Sequence, residues 1–223
     1  MGAADTGSTR VVIVRGEGPH TDQWHSLDDT SAAIARVLEE GVGCAVDVVG
    51  TDELTAESLA DAALVIVNAS SNLDLEPGSS RAVVDLLVAS VARGRALLGV
   101  HSSSIAFRDD PRWAETLGGR WIRGVSWHPP IGAADVVLTS AGSALFGVTD
   151  FAAHDERYTD LEVASDVEVL AFHREGAAEY PLVWSCPTAA GRVGYSALGH
   201  GIESYDSPGH RAMLVALVRW LIG

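Results

Sequence analysis

The chain is short of sulfur, of positive charge and of long apolar runs, and each shortage narrows what it can be. Two cysteines occur in 223 residues, Cys44 and Cys186. They form neither a C-x-x-C pair nor a zinc-finger spacing, and two reduced thiols are expected rather than a disulfide. Lysine plus arginine number 15 against 30 aspartates and glutamates, a formal charge of -15. Such a surface repels phosphate backbones and anionic headgroups, so no nucleic acid and no membrane is expected as a partner. No apolar run reaches the length of a bilayer span. The opening MGAADTGST lacks the basic and apolar regions of a signal peptide. The expectation is a cytoplasmic protein with a disordered lead-in over residues 1–9 and one domain over residues 10–223.

What is present is apolar and periodic. Hydrophobic residues make up 47% of the chain, enough for a sizeable core. Val11–Val14, Ala45–Val49, Leu64–Val67 and Ala96–Val100 are short apolar runs that read as strands covered on both faces. Between them, Leu27–Glu40 and Ser80–Arg93 read as helices stopped near Gly41 and Gly94, and Thr55–Leu59 as a short helix. That alternation predicts right-handed βαβ crossovers and a parallel sheet. In the second half, Asp135–Leu138, Glu168–Phe172, Leu182–Ser185 and Arg192–Ala197 read as strands, several of them antiparallel. A final helix spans about Pro208–Leu221, with Met213, Leu214, Leu217, Val218 and Leu221 on one face.

In open parallel sheets, ligands bind beyond the C-terminal strand ends. Those ends carry His20, Trp24 and His25, then Asn68, Ser70, Ser71 and Asn72, then His101, Ser102 and Ser103, and finally His200. Gly99-Val100-His101-Ser102-Ser103 has the form of a nucleophile elbow with an imidazole at its centre. The plainer alternative is that His101 and the serines only cap the next turn. Asp155-Glu156 reads as a carboxylate pair in a loop, able to serve as acid and base or to ligate a metal; salt bridging to Arg157 is the ordinary alternative. Trp127-His128-Pro129-Pro130 is a further candidate. Eight histidines with that carboxylate pair could build a zinc site from distant loops, although no H-E-x-x-H motif is present. No phosphate-binding loop and no dinucleotide fingerprint is found.

Taken in order, several segments resemble the ThuA-like (trehalose-utilisation) family of the class I glutamine-amidotransferase-like superfamily. They are Val12-Ile13-Val14 with His20 and His25 after it, Gly99-Val100-His101-Ser102, Trp113 with Leu117-Gly118-Gly119-Arg120, and His128-Pro129. Asp155-Glu156-Arg157-Tyr158, Pro181–Trp184, Gly191-Arg192-Val193 leading to Leu198-Gly199-His200, and the ending at Trp220 complete the set. The resemblance implies an α/β, flavodoxin-like three-layer sandwich with a mostly parallel central sheet, and a link to carbohydrate metabolism. Amidotransferases of the superfamily carry cysteine at the elbow, where this chain has His101, so glutamine hydrolysis through a thiolate is not expected. His200 stands where their histidine does, with Glu203 as its carboxylate at a spacing of three rather than two.

The resulting expectation is a protein that binds or acts on a saccharide or keto-sugar, as a hydrolase or isomerase. His101, His200, Asp155 and Glu156 are its candidate reactive groups. His20, Trp24, His25, Asn68, Ser70, Ser102, Trp127 and His128 are its candidate ligand contacts. No cofactor is established, and a divalent metal such as zinc is the one candidate. A homodimer is the expected assembly. The alternative is a non-catalytic module for a small molecule or a protein, and a residual amidase using Ser102 is a third, minor reading.

Overall fold

The computed structural model describes residues 9–71, 75–188 and 190–223; most of the expected lead-in, and Asn72, lie outside them. The four apolar runs of the first half become strands β1 (Arg10–Arg15), β2 (Ala45–Gly50), β3 (Leu64–Asn68) and β4 (Ala96–Val100). Helix α1 (Leu27–Val42) joins the first pair and α2 (Arg81–Ala92) the second. Strand β1 sits between β2 and β3, and all these pairings are parallel. The chain thus steps one way from β1 to β2 and the other way from β3 to β4. Right-handed crossovers then put α1 and α2 on opposite faces, leaving a crevice at the reversal beyond the C-terminal ends of β1 and β3.

After β4 the chain makes a short 3-10 turn at His101–Ser104, then α3 (Pro111–Leu117) and β5 (Gly119–Arg120). It continues through β6 (Gly132–Leu138), α4 (Ser140–Phe146), β7 (Phe151–Asp155), β8 (Glu162–Val163), β9 (Glu168–Glu175) and β10 (Ala178–Cys186). Strand β11 (Val193–Ser196) and helix α5 (Pro208–Ile222) close the fold. The main sheet runs β2-β1-β3-β4-β11-β10-β9-β6-β7. Strand β11 pairs parallel with β4, and every pairing from β11 onward through β10, β9, β6 and β7 is antiparallel. Among the described residues no helix is long and apolar enough to cross a membrane.

The helix ends are set by local chemistry. Gly43, not Gly41, ends α1, taking φ +76 and donating its N–H to the Leu38 carbonyl. Asp110 caps α3 through the Arg112 N–H with Pro111 at its first position, and Thr139 caps α4 through the Gly142 N–H. Residues 55–59 form hydrogen-bonded turns rather than the expected helix. The Thr55 and Ser58 side chains each accept the other residue's backbone N–H, at 3.1 Å, and so close the turn.

Candidate functional site

His101 begins the turn after β4 with φ +44, the left-handed region that a non-glycine residue enters at a cost of about 1–2 kcal/mol. Packing holds it there. The Tyr195 hydroxyl donates to the His101 carbonyl at 2.8 Å, and the Trp113 indole N–H to the Ser103 carbonyl at 2.8 Å. The His101 ring is buried, and its Nδ1 lies 2.6 Å from the Ala197 carbonyl. A carbonyl only accepts, so Nδ1 carries a proton. The buried Tyr158 hydroxyl is hydrogen-bonded to Nε2 at 3.0 Å.

Two more imidazoles stand against this one. The ring centroids of His25, His101 and His200 are 5.0, 4.9 and 5.3 Å apart, all edge to face. His25 is placed by Asp22. That carboxylate accepts the Trp24 and His25 backbone N–H groups at 2.8 and 3.0 Å and the His25 Nδ1 at 2.8 Å. Burial alone would raise the Asp22 carboxyl, but the hydrogen bond and charge of His25, with help from Ser70, bring it down to about 2. Burial lowers the His25 pKa, and the neighbouring His101 and His200 add to this against the pull of Asp22.

His200 is placed by Asp155. This fully buried carboxylate accepts the Gly199 N–H at 2.7 Å, the His200 N–H at 3.1 Å and the Ser204 hydroxyl. Gly199 takes φ +117, and a Cβ there would lie 2.6 Å from the Tyr205 hydroxyl, so only glycine fits the bend. Asp155, expected to be reactive, is therefore committed to holding the 199–204 segment.

Its neighbour Glu156 points the other way. Its carboxylate lies 3.5 Å from His101 Nε2, 3.5 Å from His128 Nε2 and 3.3 Å from His200 Nδ1. Burial would raise the Glu156 carboxyl, yet contact with His101 and His200 holds it well below the usual carboxylate range. The same contact raises the His200 pKa, outweighing burial. The partner of His200 is thus Glu156 and not Glu203, whose carboxylate folds back against Gly201 beside a different cleft.

Several of these groups line a cleft of about 610 Å³, within the ordinary range of small-molecule sites. Asp22, Trp24, His25, Glu156, Tyr158 and His200 line it, with His128, Ser71, Ser126 and Trp121 around them. His101 lies behind this wall, in contact with it.

Other predicted residues lie elsewhere. The Asn68 amide donates to the Leu27 carbonyl and to the Thr30 and Ser31 hydroxyls, which pins α1. The Ser70 hydroxyl donates to Asp22, and the Ser102 hydroxyl to the Ala69 carbonyl at 3.0 Å. His20 is buried edge-on against Phe107, and burial lowers its pKa against the charge of Asp109. Trp127 bridges to Thr159 in extended backbone, so alternation sends its indole away to Asp160 at 2.9 Å while Ser126 and His128 face the cleft. The residues that sequence reasoning missed are Asp22, Trp121, Ser126 and Tyr158. Asp22 had a local signal: an aspartate three residues before a histidine in a polar loop favours the turn it makes here. Trp121 and Ser126 had none.

Both cysteines are free, and neither lines the cleft. The Cys186 thiol donates to the Leu117 carbonyl, and burial pushes its pKa up to about 12.

Comparison with curated proteins finds no match. Among solved structures, a ThuA-like protein from Parabacteroides merdae superposes with a TM-score of 0.76 at 14% identity, covering 97% of this chain and 90% of that one. One from Bacteroides uniformis gives 0.73 at 17% identity, covering 99% and 94%. A glutamine amidotransferase from Thermotoga maritima gives 0.59 at 11% identity, covering 96% and 98%. At these identities the likeness establishes the glutamine-amidotransferase-like α/β fold. The model of the ThuA family, described as trehalose utilisation, matches residues 10–221, and the chain belongs to that family.

Proposed function

We propose that the cleft binds a saccharide or its oxidised, keto form and carries out proton transfer on it. One observation carries this reading. The Glu156 carboxylate stands among three imidazoles on the wall of a cleft that is also lined by the indoles of Trp24 and Trp121. An indole offers a flat apolar face to the C–H side of a sugar ring, while serine and tyrosine hydroxyls and the carboxylate of Asp22 suit its hydroxyl groups. The family description, trehalose utilisation, supports the same ligand class.

Within that reading the roles divide by exposure and charge. Glu156 is held anionic and polarises whatever hydroxyl or carbonyl group reaches it. His128 has 36% of its side chain exposed, more than the other imidazoles around Glu156, so it exchanges protons with ligand and solvent. The Asp22–His25 and Asp155–Gly199–His200 contacts hold the geometry. Two covalent routes lack their reactive group. The elbow carries imidazole where a thiolate would be needed, and the sequence contains no lysine side chain to form a Schiff base with a keto-sugar.

The test is calorimetry and product analysis with trehalose, glucose and a keto-oxidised form of each. The expected result is binding that weakens at least tenfold in Trp24→Ala, and conversion of a keto form that is lost in His128→Ala. Trp24 is 54% exposed, so its removal should leave the fold intact. The reading fails if none of these sugars binds or is altered, or if both variants match the parent.

A further inference from the structure

We infer that the wall of the cleft carries a binding site for one divalent transition-metal ion, held by His25, His101, His200 and Glu156. The four residues come from four distant stretches of chain, yet one ligand atom from each lies within 4.8 Å of all the others. A tetrahedral zinc site with bonds of 2.0–2.1 Å needs ligand atoms ~3.4 Å apart, so the cluster reaches that geometry by a short inward movement of side chains. The inference concerns the ion alone and does not depend on which small molecule the cleft takes.

The hydrogen-bond partners of the imidazoles argue for a metal rather than for a hydrogen-bonded cluster. A metal-binding histidine usually donates its second N–H to a carboxylate or carbonyl, which fixes the tautomer and aims the lone pair. Both kinds of partner are in place. His25 Nδ1 faces the Asp22 carboxylate, and His101 Nδ1 faces the Ala197 carbonyl. In the neutral form of each ring, Nε2 is then the lone-pair atom. Among the described residues His25 Nε2 has no hydrogen-bond partner, although it is buried and only 8% of that side chain is exposed. His200 Nδ1 is likewise buried, with Glu156 standing off at 3.3 Å.

Glu156 adds a second argument. Its contacts of 3.3–3.5 Å with the histidines are longer than the 2.7–2.9 Å of charge-assisted hydrogen bonds. These groups converge on a common point more than they pair with one another. Three nitrogens and one carboxylate suit zinc, iron, nickel or copper, whereas magnesium and calcium take all-oxygen shells.

The experiment is calorimetric titration of the full chain with Zn²⁺ alone, after dialysis against a chelator, with Mg²⁺ as the control. One Zn²⁺ per chain with a rise in melting temperature is expected, and no response to Mg²⁺. Glu156→Gln and His200→Gln should each abolish this binding. Asp22→Asn removes no ligand and should weaken it 10–100-fold, the usual effect of losing a ligand's outer partner. His154→Gln, on an exposed position of β7, should bind as the parent does. Circular dichroism of each variant reports whether it folds, and a variant that does not is replaced by Asp22→Asn as the deciding case. Absence of stoichiometric Zn²⁺ binding in the parent overturns the inference. So does binding that survives unchanged in folded Glu156→Gln, His200→Gln or Asp22→Asn.

Discussion

Asp155 and Glu156 are adjacent carboxylates with opposite predicted phenotypes, and substituting each in turn tests the division between frame and site. In Asp155→Asn the carboxylate loses one of two acceptor oxygens and presents an NH₂ to groups that are themselves donors: the Gly199 and His200 N–H groups and the Ser204 hydroxyl. A hydrogen bond to a charged group contributes about 1.5–3 kcal/mol, and a buried donor left unmatched costs a similar amount. Losing about two such contacts should cost roughly 3–5 kcal/mol. For a chain of this length each kcal/mol moves the midpoint by about 2–4 °C, so melting should fall by roughly 6–20 °C. Glu156→Gln removes a charge whose nearest contacts are 3.3 Å or longer and leaves no tight hydrogen bond broken. Its cost in stability should be smaller than that of Asp155→Asn, while activity and ion binding disappear. Urea unfolding followed by tryptophan fluorescence, run beside differential scanning calorimetry, measures both. An Asp155→Asn protein that melts with the parent and lacks only activity would show that Asp155 belongs to the chemistry after all.

Acid should destabilise the fold earlier than carboxylate titration alone would. His173 and His210 are buried with pKa values lowered chiefly by desolvation. Each therefore stays neutral in the folded chain while the unfolded chain takes up a proton near 6.5. Their contribution is intact above that value and is lost as pH falls below it, with a slope of up to about 1.4 kcal/mol per pH unit for each group. Urea midpoints between pH 7.5 and pH 5, in the presence of a chelator, should fall, and His173→Phe should flatten the decline; equal midpoints across that interval would refute the assignment. Gly199→Ala should cost about 1–3 kcal/mol through backbone strain at φ +117 and contact with the Tyr205 hydroxyl. Full stability in that variant would mean the bend is not required.

The parallel half of the fold was legible in the sequence because its strands are buried on both faces and read as unbroken apolar runs. Val11–Val14 and Ala96–Val100 need no alternation to be recognised. Strand β7 was not legible: Phe151-Ala-Ala-His-Asp carries a histidine and an aspartate, and its cue is only that alternate residues are buried. Helix α3 had its signals, Asp110-Pro111 at the start and Gly118 at the end, but seven residues span too few turns for a clear apolar period. In the site, the histidines stood out because they follow parallel strands. The roles of the two neighbouring acids did not, because which of them faces the cleft depends on the direction in which β7 leaves the sheet. Trp24 and Trp127 look alike in sequence, and only the backbone bridge of Trp127 to Thr159 separates them.

The members of the imidazole–carboxylate cluster are spread from position 25 to position 200, and Glu156 follows the strand farthest along the sheet from β2. A partly folded chain with only the parallel half in place can bring His25 and His101 together, but it has neither the acid nor the third ring. The cluster is thus complete only when the last, most sequence-distant contacts close, and such contacts are the slow ones in folding. Any ligand that needs all four groups stabilises the finished fold and none of its precursors, which makes occupancy of this centre a readout of completed assembly.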